Sequence, residues 1–357
     1  MTPLEAHEID ETVARWGGIS EAQLLDELGA VGLFDGLPVV RPTTEALAAF
    51  LGAHGLDGSE VVEPIPPRDR AASVKALALC GVVAGCTPAH LPVLLACARA
   101  LTDPALNTRG VLTTTGSAAL AVIVGGPARE RLGFSGGANC LGPGVRSNAT
   151  VGRALSLMAR FIGGALPGVT DMSTMGQPAK YTCCFAENEE ESPWEPLHVE
   201  RGLAPDDSAV TIAAIAGTME VVNPYGQSAR DYLHSLAETL AAPNALSPTD
   251  EVLIGGGQPL VLVSPEWARA LAAEGFSKRA VKEEIFKRAA CSLDRLSPSA
   301  REEVIRRRRS RLEVLRAPLR PARTADDILV IVAGGVGAKQ TVMANWNGGS
   351  SAATQRI

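Results

Sequence analysis

VLTTTGSAALAVIVGGPARERLGFS, residues 111–135, recurs in altered form as VLIGGGQPLVLVSPEWARALAAEGFS, residues 252–277. Both copies start with Val-Leu, carry an Ala-Arg pair and end in Gly-Phe-Ser. The residues that align between the copies are Gly116 with Gly256, Leu120 with Leu260, Ala128 with Ala268 and Arg129 with Arg269. Each copy has the pattern of a strand, a glycine turn, a buried strand and a helix.

The segments around the two copies follow the same order. An apolar segment and a helix precede each copy, and a second helix and a closing strand follow it. This order predicts an α/β fold of two similar half-domains that arose by internal duplication, residues 58–202 and 203–350. Residues 1–57 form a helical N-terminal extension in this interpretation. The alternative is that any two β-α units of an α/β protein resemble each other to this extent.

Composition narrows the class of protein. The chain has 357 residues, of which 46% are hydrophobic and 20% charged, which is typical of a globular protein. A net charge of −6 argues against nucleic-acid binding, and we interpret the basic run at residues 306–311 as a solvated helix face. No apolar run is long enough to span a bilayer, and the N-terminus lacks a secretion signal. Seven cysteines without a disulfide or zinc spacing favour a reduced, cytoplasmic protein.

The segment AENEEESPWEPLHVERG, residues 186–202, contains the densest group of chemically active side chains. It follows a predicted strand, and such loops are frequent sites in α/β sheets. Glu187, Glu189 and His198 are candidates for acid–base catalysis or for binding a divalent metal, the one candidate cofactor. A solvated acidic loop is the alternative, but Trp194 between two prolines favours an ordered loop.

Glycine-rich loops suggest sites for an anion. The loop GFSGGANCLGPGVRSNAT, residues 133–150, precedes a predicted helix, whose first backbone amides favour negative charge. The alternative is a plain turn and a capped helix. The second half has IGGGQP, residues 254–259, and VAGGVGAKQ, residues 332–340. The candidate substrate-binding residues of the whole chain are Asn139, Arg146, Asn148, Lys180, Arg201 and Lys339.

Cys140 is the best candidate for a nucleophilic cysteine. It lies near the start of the predicted helix, where the helix dipole is expected to lower the thiol pKa. Packing in the protein interior is the alternative role for this side chain. Cys183 and Cys184 are neighbours on a predicted strand, so only one of them can face a site.

Several segments together resemble an uncharacterised bacterial family that occurs with UGSC-type selenoproteins. The segments are DGLPVV, VAGCTPAHLPVLLAC, LGPGVRSNATVGRAL, AENEEESPWEPLHVERG and the late VAGG. The resemblance covers residues 35–340 and implies no established reaction. It implies a signature stretch that includes Glu187, Asn188, Glu189, His198, Glu200 and Arg201. The chain has no Cys-Gly-Ser-Cys motif of its own, so a dithiol mechanism does not carry over.

These observations lead to one main functional hypothesis and two alternatives. The main hypothesis is an enzyme, a hydrolase or lyase, that acts on a small polar or anionic metabolite between the two halves. The first alternative is thiol-based redox or covalent catalysis at Cys140. The second is a non-catalytic partner subunit of a UGSC-type protein. A homo-oligomer is also compatible with the sequence.

Overall fold

The computed structural model describes residue 4 and residues 6–223, 228–242 and 257–357. The chain begins with three helices, α1 (Ala6–Trp16), α2 (Glu21–Val31) and α3 (Thr44–Gly52). Ser20 caps α2 in a capping box with Gln23, and the Thr43 hydroxyl accepts a hydrogen bond from a backbone amide at the start of α3. Their buried apolar side chains belong to the same core as the helices that follow.

A small hairpin of β1 (Val61–Ile65) and β2 (Arg70–Ser73) stands apart from the main sheet. The main sheet has seven strands, β3 (Ala119–Gly125), β4 (Cys184–Ala186), β5 (Ala209–Val221), β6 (Leu260–Val263), β7 (Leu329–Val332), β8 (Gln340–Asn345) and β9 (Ala353–Arg356). Six of them lie in the order β4-β3-β5-β8-β6-β7, and the seventh, β9, pairs with β5. The closing strand predicted in the first half is short, and a 3-10 turn at Pro178–Lys180 precedes it. The strand predicted at the start of the first copy is wrong, because Thr108–Thr113 form an α-helix.

Helices cover the outside of this sheet. Those of the first part are α4 (Val74–Ala84), α5 (Leu91–Thr102), α6 (Thr108–Thr113), α7 (Ala128–Arg131), α8 (Arg146–Phe161) and α9 (Leu197–Glu200). Those of the second part are α10 (Ala229–Leu240), α11 (Pro265–Ala273), α12 (Lys278–Arg288) and α13 (Pro298–Arg307). Within the described ranges, no helix combines the length and apolar character needed to cross a bilayer.

The strand directions make this a mixed α/β sheet. β3 runs parallel to β4 and antiparallel to β5. β6 likewise runs parallel to β7 and antiparallel to β8. The long strand β5 joins the two groups, because its first part pairs with β3 and its last part with β8. One continuous sheet therefore takes strands from both parts of the chain.

The sheet is curled, so that its two edge strands approach each other. Just after β4, the Asn188 amide donates to the carbonyl oxygen of Val332 in β7 at 2.8 Å. The Gly334 amide donates to the Gly136 carbonyl oxygen at 2.7 Å. Buried apolar side chains from six of the strands, together with Cys140 and Leu197, fill the inside of the curl. The interior is thus a packed core.

The two Gly-Phe-Ser tripeptides occupy matching positions at helix ends. Gly133 and Gly275 both have positive φ, 70° and 88°, as expected for a glycine that ends a helix. Phe134 N donates to Arg129 O at 2.8 Å, and Phe276 N donates to Leu271 O at 2.9 Å. Each bond spans five residues. The aligned Gly256 lies outside the described residues.

Candidate functional site

The acidic segment begins where β4 ends, at the carboxyl end of the strand, as predicted. Glu187 is buried, with 1% of its surface exposed. Its Oε2 accepts a hydrogen bond from the Leu197 amide at 2.6 Å, and its Oε1 lies 3.8 Å from Lys278 Nζ. Burial raises the pKa of the Glu187 carboxyl, and the Lys278 ammonium opposes this rise. This carboxylate therefore faces the protein interior.

Glu189 is the centre of a second group of charges. Its Oε1 accepts a hydrogen bond from the Gly126 amide at 2.7 Å. The same oxygen lies 2.9 Å from Arg129 Nε and 3.6 Å from His198 Nδ1. The Arg129 guanidinium also contacts Glu190 Oε1 at 2.8 Å and holds the pKa of that carboxyl below its ordinary value. The histidine and a carboxylate are close, as the acid–base hypothesis requires.

Residues in and just before α12 contact the C-terminal part of the acidic segment. Lys278 Nζ lies 3.1 Å from Glu200 Oε2, and Lys282 also pairs with Glu200. The Trp194 indole donates from Nε1 to the Phe276 carbonyl oxygen at 3.0 Å. The segment is thus ordered and connects the first part of the chain to the second.

The cations that balance these carboxylates are Arg129, Lys278 and Lys282. None of the three was predicted as a site residue. The alignment of the two sequence copies could have pointed to two of these cations, Arg129 and Lys278. Arg129 is one of the aligned residues, and Lys278 directly follows the second Gly-Phe-Ser.

Lys180 lies in a different place, beside a cavity. Its Nζ is 2.7 Å from Asp171 Oδ2 and 2.7 Å from Ser173 Oγ. The Ser173 hydroxyl can donate to Asp171 Oδ1 at 2.7 Å or to the Gly116 carbonyl oxygen at 2.9 Å. Burial raises the pKa of the Asp171 carboxyl, but the hydrogen bonds from Lys180 and Ser173 outweigh it and hold the pKa below its ordinary value. Asp171 is therefore ionised near neutral pH.

The cavity has a volume of about 630 Å³ and mixed walls. Asp35, Arg160, Asp171 and Lys180 are its charged lining residues, and Ser156, Ser173 and Gln177 are polar ones. The remaining wall is mainly apolar, from the start of β3, α8 and the segment that follows it. Its size is within the range of small-molecule sites.

The cavity and the acidic segment lie at opposite ends of β3. Leu120, near the start of β3, lines the cavity, whereas Gly126, just beyond its end, contacts Glu189. At about 3.3 Å per residue, six residues of strand separate them by about 20 Å. Glu187, Glu189 and His198 do not line this cavity. The structure therefore does not bring Lys180 together with the acidic segment.

The glycine loop before α8 is held by internal hydrogen bonds. Asn148 is buried, and its side chain bonds both the amide and the carbonyl of Ser135, at 3.0 and 2.9 Å. The exposed Asn139 donates to the Pro143 carbonyl oxygen at 2.7 Å. Arg146 is exposed and donates to the Gly85 carbonyl oxygen at 3.0 Å. None of these three side chains, Asn139, Arg146 and Asn148, lines the cavity.

Cys140 does not have the lowered pKa expected of a nucleophile near a helix start. The residue is 6% exposed and packs inside the curled sheet. Burial raises the pKa of its thiol, and backbone hydrogen bonds, that of Gly334 first, only partly oppose this rise. Desolvation of the thiolate therefore sets the direction of the shift. The helix α8 begins only at Arg146, six residues after Cys140.

The last two candidate binding residues lie at the surface. Arg201 donates to the Ala352 carbonyl oxygen at 2.6 Å, and Lys339 is exposed just before β8. Neither lines the cavity. Nor do the described residues form a group of three or more His, Cys, Asp or Glu side chains with the geometry of a metal site. Among the described residues, Glu189 and His198 therefore have no third side chain with which to hold a metal ion.

Comparison with known proteins adds no assignment. No protein-family model matches the chain, and neither a curated protein nor a solved structure shows significant similarity to it.

Proposed function

We propose that this protein is an enzyme that acts on a small polar or anionic metabolite, as a hydrolase or lyase. The proposed substrate site is the cavity beside Lys180. Its lining residues all come from the first part of the chain, so the proposed site does not lie between the two halves. The observation that supports this most is the position of Lys180 Nζ, 2.7 Å from both Asp171 and Ser173 at the wall of a 630 Å³ cavity.

This group of three side chains is suited to polar chemistry. A hydroxyl that contacts a carboxylate and an ammonium is a candidate nucleophile or proton donor. In the proposed reaction, Asp171 accepts the hydrogen bond of the Ser173 hydroxyl. Lys180 supplies a positive charge where negative charge develops on the substrate. The Asp171 carboxyl is ionised near neutral pH, because its pKa is held low.

The test is turnover by the full-length protein. A defined mixture of small esters, amides, hydroxy acids and phosphate esters is incubated with the protein, and substrate loss is followed by mass spectrometry. We expect at least one compound to be consumed, and Ser173→Ala and Lys180→Met to reduce its turnover about 100-fold or more. Lys287→Met, an exposed lysine on α12, is the matched control and should keep full turnover.

A second candidate site is supported by the Glu189–His198 contact of 3.6 Å. Glu187 Oε1 and His198 Nδ1 are buried without a hydrogen-bond partner among the described side chains. Such groups can serve in acid–base chemistry. Glu189→Gln separates the two sites. Loss of turnover in Glu189→Gln, with full turnover in Ser173→Ala and Lys180→Met, would move the reaction to the acidic segment and contradict the cavity proposal.

We also infer that the chain contains an internal duplication. Its support is the strand order, in which β4-β3-β5 is followed by the reverse arrangement β8-β6-β7. The two repeats of this inference meet after β5 (Ala209–Val221), whereas the predicted boundary at residue 202 lies before that strand. The matching helix ends at Gly133 and Gly275 support it further. Internal repeats commonly retain such matched elements after their sequences diverge. An experimental structure in which the two strand groups fail to superpose would contradict this inference.

A further inference from the structure

Arg160 is the charged side chain of the cavity that lacks a carboxylate partner. Asp35 pairs with Arg153 at 2.8 Å, and Asp171 pairs with Lys180. Arg160 donates from Nη2 to the Phe34 carbonyl oxygen at 2.9 Å. Its Nε is buried and has no hydrogen-bond partner, and within the described part of the chain no carboxylate forms an ion pair with it.

An unpaired guanidinium in this position is costly for the free protein. Burial disfavours an isolated charge, whereas a planar guanidinium can bind a carboxylate through two parallel hydrogen bonds. Burial also lowers the pKa of Arg160, and the nearby Asp35 and Asp171 only partly oppose this. The four charged lining residues sum to zero, but Arg153, which lies outside the lining, already pairs with Asp35, and Lys180 pairs with Asp171. With Arg153 included, the group carries one net positive charge, on Arg160. One negative charge on a ligand would balance it.

The rest of the wall indicates the body of that ligand. Leu112, Leu120, Ala159, Ala165, Pro167 and Met175 supply much of the apolar surface. A highly charged ligand would place its charged groups against this apolar surface, which is unfavourable. A short apolar body, aliphatic or aromatic, would bury it.

We propose that the cavity binds a monoanionic carboxylate, whose carboxylate pairs with Arg160 and whose apolar body packs against the wall from β3 and α8. This inference rests on the proposed function and names its substrate class. Lys180, Asp171 and Ser173 line the same cavity, so the proposed reactive group and the carboxylate site share one ligand.

The test is isothermal titration calorimetry of the full-length protein with four probes of similar shape: benzoate, benzamide, benzylamine and phenyl phosphate. Hexanoate is added as an aliphatic carboxylate. We expect a carboxylate to bind at least about tenfold more tightly than benzamide, benzylamine or phenyl phosphate. This comparison uses the unmodified protein, so it does not depend on the folding of any variant.

Variants at position 160 then locate the binding. Arg160→Gln should weaken carboxylate binding about tenfold or more and leave benzamide binding unchanged, with Arg160→Lys in between. Arg279→Gln is the matched control, because that arginine is exposed on α12 and pairs with Glu283. Circular dichroism and thermal melting show whether each variant is folded.

The outcomes distinguish this inference from the proposed function. Failure of both carboxylates to bind, equal binding of benzamide, tighter binding of phenyl phosphate, or an unchanged affinity in Arg160→Gln would each overturn the carboxylate assignment. If turnover still depends on Lys180 and Ser173 in those cases, the cavity remains the substrate site. If turnover is also independent of Lys180 and Ser173, the proposed function fails as well.

Discussion

Lys278 Nζ, at the start of α12, lies 3.8 Å from Oε1 of the buried Glu187, the first residue after β4. The pair joins regions that belong to opposite edges of the sheet, since β4 is one edge strand and α12 packs beside β7, the other. The same ammonium lies 3.1 Å from Glu200 Oε2. Charged side chains therefore help to keep the curled sheet closed at this end.

Removing the cation of this pair should destabilise the protein strongly. Lys278→Met leaves the Glu187 carboxylate buried without its nearest cation, and breaking a buried pair in this way costs about 3–5 kcal/mol. Chemical denaturation measures the change in the free energy of unfolding. Arg279→Met, at the next position but exposed, should leave the unfolding midpoint unchanged. Equal effects of the two variants would mean that the Lys278 pair contributes little.

The stability of the protein should depend on pH through Glu187. Its folded-state pKa is raised above the ordinary value of 4.5, chiefly by burial. The folded state therefore binds this proton more tightly than the unfolded state does. The resulting stabilisation is complete below about pH 4.5 and is lost as the pH rises through the folded-state pKa.

Glu187→Gln removes this titration and isolates its effect. We expect the free energy of unfolding of the wild type, minus that of Glu187→Gln, to fall as the pH rises from 4.5 towards neutrality. Denaturant titrations at a series of pH values measure this difference. A difference that stays constant or grows with pH would contradict the raised pKa.

Cys140 should react slowly with thiol reagents in the folded protein. Its side chain is buried and its thiol pKa is raised, so little thiolate is present or accessible. The measurement is the rate of labelling by a chromogenic disulfide, with Cys140→Ser for comparison. Native wild type and Cys140→Ser should show the same fast-phase amplitude. A fast phase that disappears in Cys140→Ser would restore the thiol-based hypothesis.

Gly126 should not tolerate a side chain. Its φ is +77°, and an added Cβ would clash with the Asp207 carbonyl oxygen. Gly126→Ala should cost about 3 kcal/mol or more, through backbone strain and the displacement of Asp207. Gly29→Ala, a helical position with open space around it, is the control and should stabilise by up to about 1 kcal/mol. A Gly126→Ala variant as stable as the wild type would contradict this contact.

Local sequence patterns were sufficient for much of the fold. Helical spacing and glycine stops act over a few positions, so they predicted the helical N-terminal extension and the buried strand at Leu120. They also predicted that the acidic segment follows a strand and is ordered. The predicted likeness of the two Gly-Phe-Ser turns is matched by their hydrogen bonds at Gly133 and Gly275.

Local patterns cannot specify which distant side chains meet, because that depends on how the sheet curls. The curl places Lys278 beside Glu187 and separates Lys180 from the acidic segment by the length of β3. It also buries Cys140, so that desolvation reverses the expected direction of its pKa shift. Arg160 had no distinguishing neighbours in the sequence. It becomes a candidate binding residue only because folding pairs Asp35 and Asp171 with other cations. The Arg160 guanidinium is then left beside the cavity without a carboxylate of its own.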